Sequence, residues 1–393
     1  MENKIRLGII GVGNMGRGHS KNVAVNNLCP SVELTALADI NPQKLEWAKE
    51  NLPDTIALFP SAEEMLDSGL IDACLIAVPH YDHPRYAKEC FKRGIHVITE
   101  KPAGVYTSQV REMNDAAKDS GVKFAIMFNQ RTDPLYKKAH DMIASGELGG
   151  LKRMVWIITN WYRTQAYYDS GTWRGTWNGE GGGVLLNQAP HNLDLWQWIC
   201  GMPKSVYANC TVGKYHNVGV EDDVTITAEY ENGMSATFIT TTGETPGTNR
   251  LEISGELGKI VVEEGKLKFW KLDKNERDIC FNEKDGFYNS TPEYSEFSEP
   301  IVPGHPIVLE NFARSILYGE PLIARGEEGI NSLTLSNAAY LSTWENRKVE
   351  LPIDEEAFEK HLASLREAEE ITQKSITPEC DDEKCAERWK VRR

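Results

Sequence analysis

Residues 5 to 16 read IRLGIIGVGNMG, an apolar run that leads directly into three glycines spaced as G-x-G-x-x-G. The apolar half predicts a buried β-strand, and the glycine half predicts a tight turn that opens a helix. In such a unit the first glycine permits the turn, the second lets backbone approach a pyrophosphate, and the third lets helix pack on strand. A glycine turn alone is a common signal, but its place at the start of a βαβ pattern predicts a dinucleotide-binding domain.

Strand and helix patterns continue to alternate up to about residue 129. Further strands are predicted at residues 33–38, 73–77, 96–99 and 123–127, with helices such as 42–50 and 83–93 between them. Repeated strand–helix–strand units form a parallel sheet with helices on both faces. The sequence therefore predicts an α/β fold that begins with a doubly wound Rossmann domain at residues 1–129.

The pattern changes after this point to long alternating strands. Residues 223–230 and 234–241 alternate apolar and polar side chains on either side of Glu231-Asn232-Gly233, a strong hairpin signal. Helices are predicted at residues 190–200, 306–318 and 326–346. We expect residues 130–353 to form an α+β domain with a large, open, mostly antiparallel sheet, and residues 354–393 to form a charged, helical tail.

Asp39 ends the second predicted strand, 23 residues after Gly16. A carboxylate there can accept hydrogen bonds from the ribose of NAD and would repel the 2′-phosphate of NADP. The alternative is a turn or N-cap aspartate before the next helix. Because the glycine turn precedes it, the ribose role is favoured. The predicted cofactor is thus NAD, held by Gly11, Gly13, Asn14, Met15 and Asp39.

Two later segments carry groups suited to proton transfer. Lys101 directly follows the strand at 96–99, and the carboxyl ends of central parallel strands face the crevice where such sheets bind ligands. His191 follows Pro190 and the glycine-rich run Gly181–Gly183, which we expect to let backbone come close to a ligand. In the first turn of a helix the positive end of the dipole keeps an imidazole neutral, as a general base requires.

In this order and spacing, these features resemble the Gfo/Idh/MocA family of sugar and inositol oxidoreductases over residues 4–352. The resemblance rests on the glycine turn, Ala77-Val78-Pro79 with His83, Glu100-Lys101-Pro102, and the glycine-rich run leading to His191 and Asp194. It implies a Rossmann domain followed by an open-sheet α+β domain that is often buried in oligomer contacts. It also implies that Lys101 and His191 form the catalytic pair beside the nicotinamide, with Pro79, His83 and Glu100 at the cofactor.

One position departs from the family pattern. Many members carry an aspartate four residues before the histidine, where this chain has Asn187. An amide can bond a sugar hydroxyl but cannot hold the negative charge that raises the basicity of His191. The base could therefore be His191 alone or Lys101. We favour His191 as the base and Lys101 as the group that polarises the reacting oxygen.

Residues 156–177 are crowded with aromatic rings and contain two arginines. Aromatic faces stack on the apolar side of sugar rings, and arginine or asparagine can bind hydroxyls. The alternative is that half of these rings form a core or an oligomer contact, and that Arg131 ties the domains together. The predicted substrate residues are Arg131, Tyr162, Trp173, Arg174 and Asn187.

The leading hypothesis is an NAD-dependent enzyme that oxidises a secondary hydroxyl of a sugar or glycoside, and the pair Asn187-Gln188 resembles members acting at C3. The alternatives are an inositol or cyclitol dehydrogenase, and a glycoside-cleaving enzyme that uses tightly bound NAD transiently. A non-catalytic NAD-binding protein is disfavoured because Lys101 and His191 are both present.

Composition limits the partners and the compartment. The net charge of −15 disfavours nucleic acid, and no apolar run is long enough to cross a membrane. The N-terminus lacks a secretory leader pattern, and the eight cysteines have no framework spacing, which favours the cytoplasm. Cys380 and Cys385 form one close pair that we interpret as free thiols, and no metal site is predicted. We expect a homo-oligomer, a dimer or tetramer, formed through the C-terminal sheet.

Overall fold

The computed structural model describes residues 3 to 369, which form two compact units. Unit 1 consists of the described residues up to Thr132 together with Gly179–Gly181 and Pro303–Leu333. Unit 2 consists of Asp133–Asn178, Gly182–Val302 and the described residues from Thr334 onward. Cys380 and Cys385 lie outside the described residues.

Unit 1 begins with a parallel sheet whose strands alternate with helices. Its elements are β1 (Ile5–Ile10), α1 (Asn14–Ala24), β2 (Val32–Ala38), α2 (Pro42–Asn51), β3 (Ala57–Phe59), α3 (Ala62–Asp67), β4 (Ala73–Ile76), α4 (His83–Lys92), β5 (His96–Thr99), α5 (Thr107–Ser120) and β6 (Phe124–Ile126). The strand order is β3-β2-β1-β4-β5-β6. The order reverses between β1 and β4, and ligands of such sheets bind at the carboxyl ends of the strands beside this reversal.

Unit 2 contains mostly strands. Its elements up to residue 297 are α6 (Pro134–Ala144), β7 (Leu151–Ile158), α7 (Gln165–Asp169), α8 (Pro190–Cys200), β8 (Ser205–Val212), β9 (Glu221–Glu229), β10 (Ser235–Thr241), β11 (Asn249–Gly255), β12 (Gly258–Glu263), β13 (Lys266–Lys271), α9 (Glu276–Asn282) and β14 (Glu293–Phe297). The predicted hairpin is present as β9 and β10, paired antiparallel from Glu229 with Ser235 to Asp223 with Thr241. Its turn is closed by the Asn232 side chain, which accepts from the Met234 amide at 3.0 Å.

The chain then returns to unit 1 with α10 (Gly304–Tyr318). This corrects the sequence prediction, which assigned residues 130–353 to one continuous second domain. The apolar face of α10, with Val308, Leu309, Phe312 and Ala313, is buried in the same core as strands β1 and β2. An amphipathic pattern predicts that a helix buries one face, but it does not say against which sheet.

The remaining elements are α11 (Gly329–Glu345), β15 (Val349–Glu350) and α12 (Glu355–Ala368). The second sheet has nine strands in the order β14-β13-β12-β11-β7-β10-β9-β8-β15. Only β7 and β10 run parallel, and every other neighbouring pair is antiparallel. The predicted fold class, a Rossmann sheet followed by an α+β unit with a large, mostly antiparallel sheet, is confirmed.

No helix between residues 3 and 369 is both long enough and apolar enough to span a membrane.

Candidate active site

Two glycines of the turn after β1 are required by packing within the protein. Gly11 has a φ of +95°, and a Cβ built on it would lie 2.4 Å from the Ala77 carbonyl oxygen. A Cβ on Gly16 would lie 1.9 Å from the carbonyl oxygen of Gly11. Neither position can hold a side chain, because the turn, α1 and the start of the β4 loop are in direct backbone contact.

Gly13, in contrast, faces open space. The nearest atom to a Cβ built there is the Lys44 ammonium at 4.0 Å. Gly13 is also the N-cap of α1, so no side chain caps the first-turn amides of Asn14 and Met15. The Oδ1 atom of Asn14 is buried without a hydrogen-bond partner among the described residues. This cradle of open amides at a helix N-terminus fits the pyrophosphate of a dinucleotide.

Asp39 lies at the carboxyl end of β2 and holds the glycine turn. Its carboxylate accepts hydrogen bonds from the amides of Val12 at 2.7 Å and Asn41 at 2.8 Å, and the Lys44 ammonium lies 3.6 Å away. Asn41, not Asp39, caps α2, because its side chain accepts from the Gln43 amide. Asp39 is therefore not the N-cap of α2, although its bond from the Asn41 amide is that of a turn aspartate, and its contact with a ribose remains a prediction.

His83 braces two loops of unit 1. Its ring is buried, with Nδ1 2.7 Å from the Pro102 carbonyl oxygen and Nε2 2.8 Å from that of Val78. Burial lowers the pKa of His83, although both carbonyls oppose this shift. Both ring nitrogens face backbone oxygens, so His83 positions these loops, and its contact with the cofactor remains a prediction. Pro79 directly follows Val78 in the loop after β4, and its side chain is exposed.

Glu100 anchors the backbone beside Lys101. Its carboxylate bonds to His19 Nε2 at 2.7 Å and accepts from the Lys101 amide at 3.2 Å, and the ring of His305 packs edge-on against His19. Burial acts to raise the pKa of Glu100, but the hydrogen bond and charge of His19, with the charges of His305 and Lys101, lower it to about 2. The ionised carboxylate thus fixes the segment that carries Lys101 directly after β5.

Arg131 is held by partners inside unit 1. Its guanidinium is buried in unit 1, forms an ion pair with Glu328 and donates to the Ile323 carbonyl oxygen at 3.3 Å. It also lies 5.4 Å from the centroid of the Phe128 ring. A buried arginine is stable only where a carboxylate compensates its charge, and Glu328 does so here, so the substrate role of Arg131 remains a prediction.

His191 lies in the first turn of α8 in unit 2, as predicted. The helix begins at Pro190 with Ala189 as its N-cap, and His191 is buried. The adjacent Asn192 accepts at 3.1 Å from the indole of Trp161. This bond ties the start of α8 to residues 161–178, which we call the aromatic segment.

The hydroxyl of Tyr167 is hydrogen-bonded to polar side chains of the aromatic segment and of the loop that leads to α8. It receives hydrogen bonds from Arg174 at 2.8 Å, Asn187 at 3.1 Å and Gln188 at 3.2 Å. A hydroxyl also carries a proton, and turning the Gln188 amide would let its Oε1, which is buried without a partner among the described residues, accept a hydrogen bond from that hydroxyl. Tyr167 was one ring among many in the sequence, and nothing there distinguished it.

Three of the predicted substrate residues therefore share one cluster, and a fourth lies outside it. The Arg174 guanidinium lies 4.6 Å from the ring centroids of both Tyr167 and Trp173, and Asn187 bonds the same Tyr167 hydroxyl. Tyr162 is 43% exposed, and its carbonyl oxygen accepts from Arg163. The cluster presents flat rings and fixed donors, the chemistry that binds a sugar ring and its hydroxyls.

Internal packing requires each glycine of the glycine-rich run, and the approach of a ligand to this backbone remains a prediction. A Cβ on Gly181 would lie 2.6 Å from the Val105 side chain, and one on Gly182 would lie 2.2 Å from the Tyr340 hydroxyl. A Cβ on Gly183 would lie 1.9 Å from the Glu221 carbonyl oxygen. The space beside each glycine is filled by the protein's own atoms.

Glu221, which the sequence analysis did not select, holds this run in place. Its carboxyl accepts from the amides of Gly183 at 2.8 Å and Leu185 at 3.0 Å and from the Tyr340 hydroxyl at 2.7 Å. Burial raises its pKa from 4.5 to about 7, although these donors oppose the shift. It is the first of three consecutive acidic residues, a pattern more typical of an exposed turn than of a buried carboxyl.

Residues 3 to 369 contain no cluster of three or more histidine, cysteine or acidic side chains able to hold a metal ion.

Two family models match the chain. Residues 5–128 match the oxidoreductase family with an NAD-binding Rossmann fold, and residues 136–261 match the GFO/IDH/MocA C-terminal domain.

Known proteins resemble the chain over most of its length. The myo-inositol 2-dehydrogenase of Thermotoga maritima is 25% identical over 352 residues, 88% of this chain and 98% of that protein. The inositol 2-dehydrogenase of Rhizobium meliloti is 24% identical over 353 residues, 88% of this chain and 99% of that protein. The crystal structure of the WlbA dehydrogenase from Bordetella pertussis, in complex with NADH and UDP-GlcNAcA, is 26% identical. It covers 90% of this chain and 100% of its own with a TM-score of 0.76. The chain therefore belongs to the Gfo/Idh/MocA family of NAD-dependent oxidoreductases.

Proposed function

We propose that the enzyme transfers a hydride between a secondary hydroxyl of a sugar, glycoside or cyclitol and NAD. The observation that carries this proposal is the Tyr167 cluster, in which Arg174, Asn187 and Gln188 converge on one hydroxyl beside the start of α8. Fixed donors next to the Trp173 ring suit a ring compound rich in hydroxyls. The names of the inositol and sugar-nucleotide dehydrogenases that resemble the chain support the same class.

The chain's own residues have separate tasks in this reaction. His191, in the first turn of α8, accepts the proton of the reacting hydroxyl. Lys101, on the segment that Glu100 fixes, polarises the reacting oxygen. NAD, when bound, supplies the hydride acceptor, so the protein contributes positioning and electrostatics.

The test is a panel of monosaccharides, glycosides, inositols and nucleotide sugars, with NADH formation followed by absorbance. The protein is first unfolded, freed of cofactor and refolded, and NAD is added or omitted. We expect oxidation of at least one ring polyol that depends on added NAD. Glycoside cleavage without net NADH formation would favour the alternative of transient oxidation, and no reaction with any ring polyol would overturn the proposal.

We also propose that the enzyme is a cytoplasmic homo-oligomer that contacts its copies through the nine-stranded sheet. Val155, Ile157 and Ile239 are partly exposed apolar residues on neighbouring strands β7 and β10, and these form an apolar centre to that face. The six cysteines among the described residues are free thiols, which suits a reducing compartment. Light scattering should give a dimer or tetramer that Ile239→Glu dissociates, and a monomeric wild type would contradict this proposal.

A further inference from the structure

The end of α12 is bonded to the end of the aromatic segment. The Glu369 carboxylate accepts hydrogen bonds from two consecutive amides, those of Trp177 at 2.6 Å and Asn178 at 2.8 Å. The Asn178 side chain in turn donates to the Arg366 carbonyl oxygen at 2.9 Å and accepts from the Arg366 guanidinium at 3.1 Å. Four hydrogen bonds thus join Trp177 and Asn178 to Arg366 and Glu369 at the end of α12.

The same two elements share an aromatic cluster. The Trp177 indole is 4% exposed and packs against Tyr340 and Trp344 of α11, with ring centroids 5.5 Å and 5.9 Å apart. Trp344 stacks on Phe358 of α12 at 5.4 Å. The Trp177 side chain is therefore held by α11, which packs in turn on α12, and the Trp177 amide is held by Glu369.

The contacts continue to the loop that leads to α8. Tyr340, which packs on Trp177, donates its hydroxyl to Glu221, and Glu221 accepts from the amides of Gly183 and Leu185. The end of α12 is thus connected, by packed rings and hydrogen bonds, to both chain segments that carry the Tyr167 cluster.

We propose that Glu369 is a positioning residue, and that the C-terminal strap, which we define as Glu355–Glu369, holds the aromatic segment in its binding conformation. The segment has only one short helix, α7, so few of its backbone bonds are internal, and its local stability depends on outside partners. Hydrogen bonds from amides to a carboxylate are about twice as strong as neutral ones. The role of Glu369 in substrate binding rests on the proposed function. Its role in fixing the conformation of the aromatic segment does not.

Hydrogen exchange of the full chain, followed by mass spectrometry, tests directly whether the strap fixes the aromatic segment. In Glu369→Gln the amides of residues 161–178 should exchange at least about tenfold faster than in the wild type. Glu367→Gln makes the same charge change at an exposed position two residues earlier in the strap and should leave the exchange of the segment unchanged. Peptides from β9 and β10 should exchange equally in all three proteins, which excludes general unfolding. Equal exchange of the segment in Glu369→Gln and Glu367→Gln would overturn the proposal.

Kinetics with a substrate from the panel tests the positioning role. Glu369→Gln should raise KM for that substrate about tenfold while kcat and the affinity for NADH change less than about twofold, because the released segment binds substrate and not cofactor. An unchanged KM, or an equal loss in Glu367→Gln, would overturn this role. If no sugar or cyclitol reacts, the proposed function fails, and the exchange experiment still decides whether the strap holds the segment.

Discussion

Replacing Glu221 with glutamine should change how the stability of the protein depends on pH. The Glu221 carboxyl is buried, and its pKa rises from 4.5 to about 7 on folding. The folded state therefore binds this proton more tightly than the unfolded state does. The stability contributed by the carboxyl is complete below about pH 4.5 and is lost as the pH rises through about 7. The two pKa values correspond to a loss of about 3 kcal/mol.

Glutamine does not titrate, so the variant does not lose stability in this way as the pH rises. We expect Glu221→Gln to cost about 1–3 kcal/mol at about pH 5, because its amide group faces the backbone donors of Gly183 or Leu185. Between about pH 5 and pH 8 the free energy of unfolding of the variant should rise relative to the wild type by up to about 3 kcal/mol.

Denaturant unfolding of both proteins at each pH, followed by tryptophan fluorescence, gives this difference. Glu231→Gln makes the same charge change at an exposed turn position and is the matched control. A difference for Glu221→Gln that is independent of pH would refute the reasoning. It would mean that the three donors keep the carboxyl ionised in the folded state despite its burial.

Three further predictions follow from the described geometry. Tyr167→Phe removes the shared hydroxyl and should raise KM for a sugar or cyclitol about tenfold in steady-state assays. Tyr318→Phe, at an exposed ring of α10, is the control and should change KM little. Asp39→Ser removes the charge that repels a 2′-phosphate. The ratio of NADPH affinity to NADH affinity, measured by fluorescence titration, should therefore rise at least about tenfold. An unchanged ratio would count against the ribose role of Asp39. Gly16→Ala places a Cβ 1.9 Å from a backbone oxygen and should abolish NADH binding. Gly18→Ala meets nothing within 4 Å and should bind NADH normally, with a stability gain of about 0.5–1 kcal/mol in thermal unfolding.

Features encoded locally in the sequence were predicted well. The bounds of β1, β5 and α8 agree with the structure, because apolar periodicity and Pro190 at a helix start are local signals. The β9–β10 hairpin was evident from its alternation and its Asn-Gly turn. The order of the glycine turn, Lys101 and His191 was enough to identify the family.

Features that depend on distant partners were not predicted. Tertiary packing decides which unit α10 joins and which carboxylate pairs with the buried Arg131. It also decides which atoms fill the space beside Gly181–Gly183. The same holds for Glu221 and Glu369, whose partners are backbone amides far away in sequence. A side chain that bonds a distant amide leaves no periodic or spacing signal in the sequence.

The rate of NADH formation in a single turnover tests the central claim most directly. Lys101→Met and His191→Asn are compared with the wild type, using a substrate from the panel and saturating NAD. We predict that both variants bind NADH within about threefold of the wild type but form NADH at least about a hundredfold more slowly, because each lacks a group that handles the hydroxyl proton or its oxygen. Wild-type rates in both variants would contradict the assignment of Lys101 and His191 as the catalytic pair.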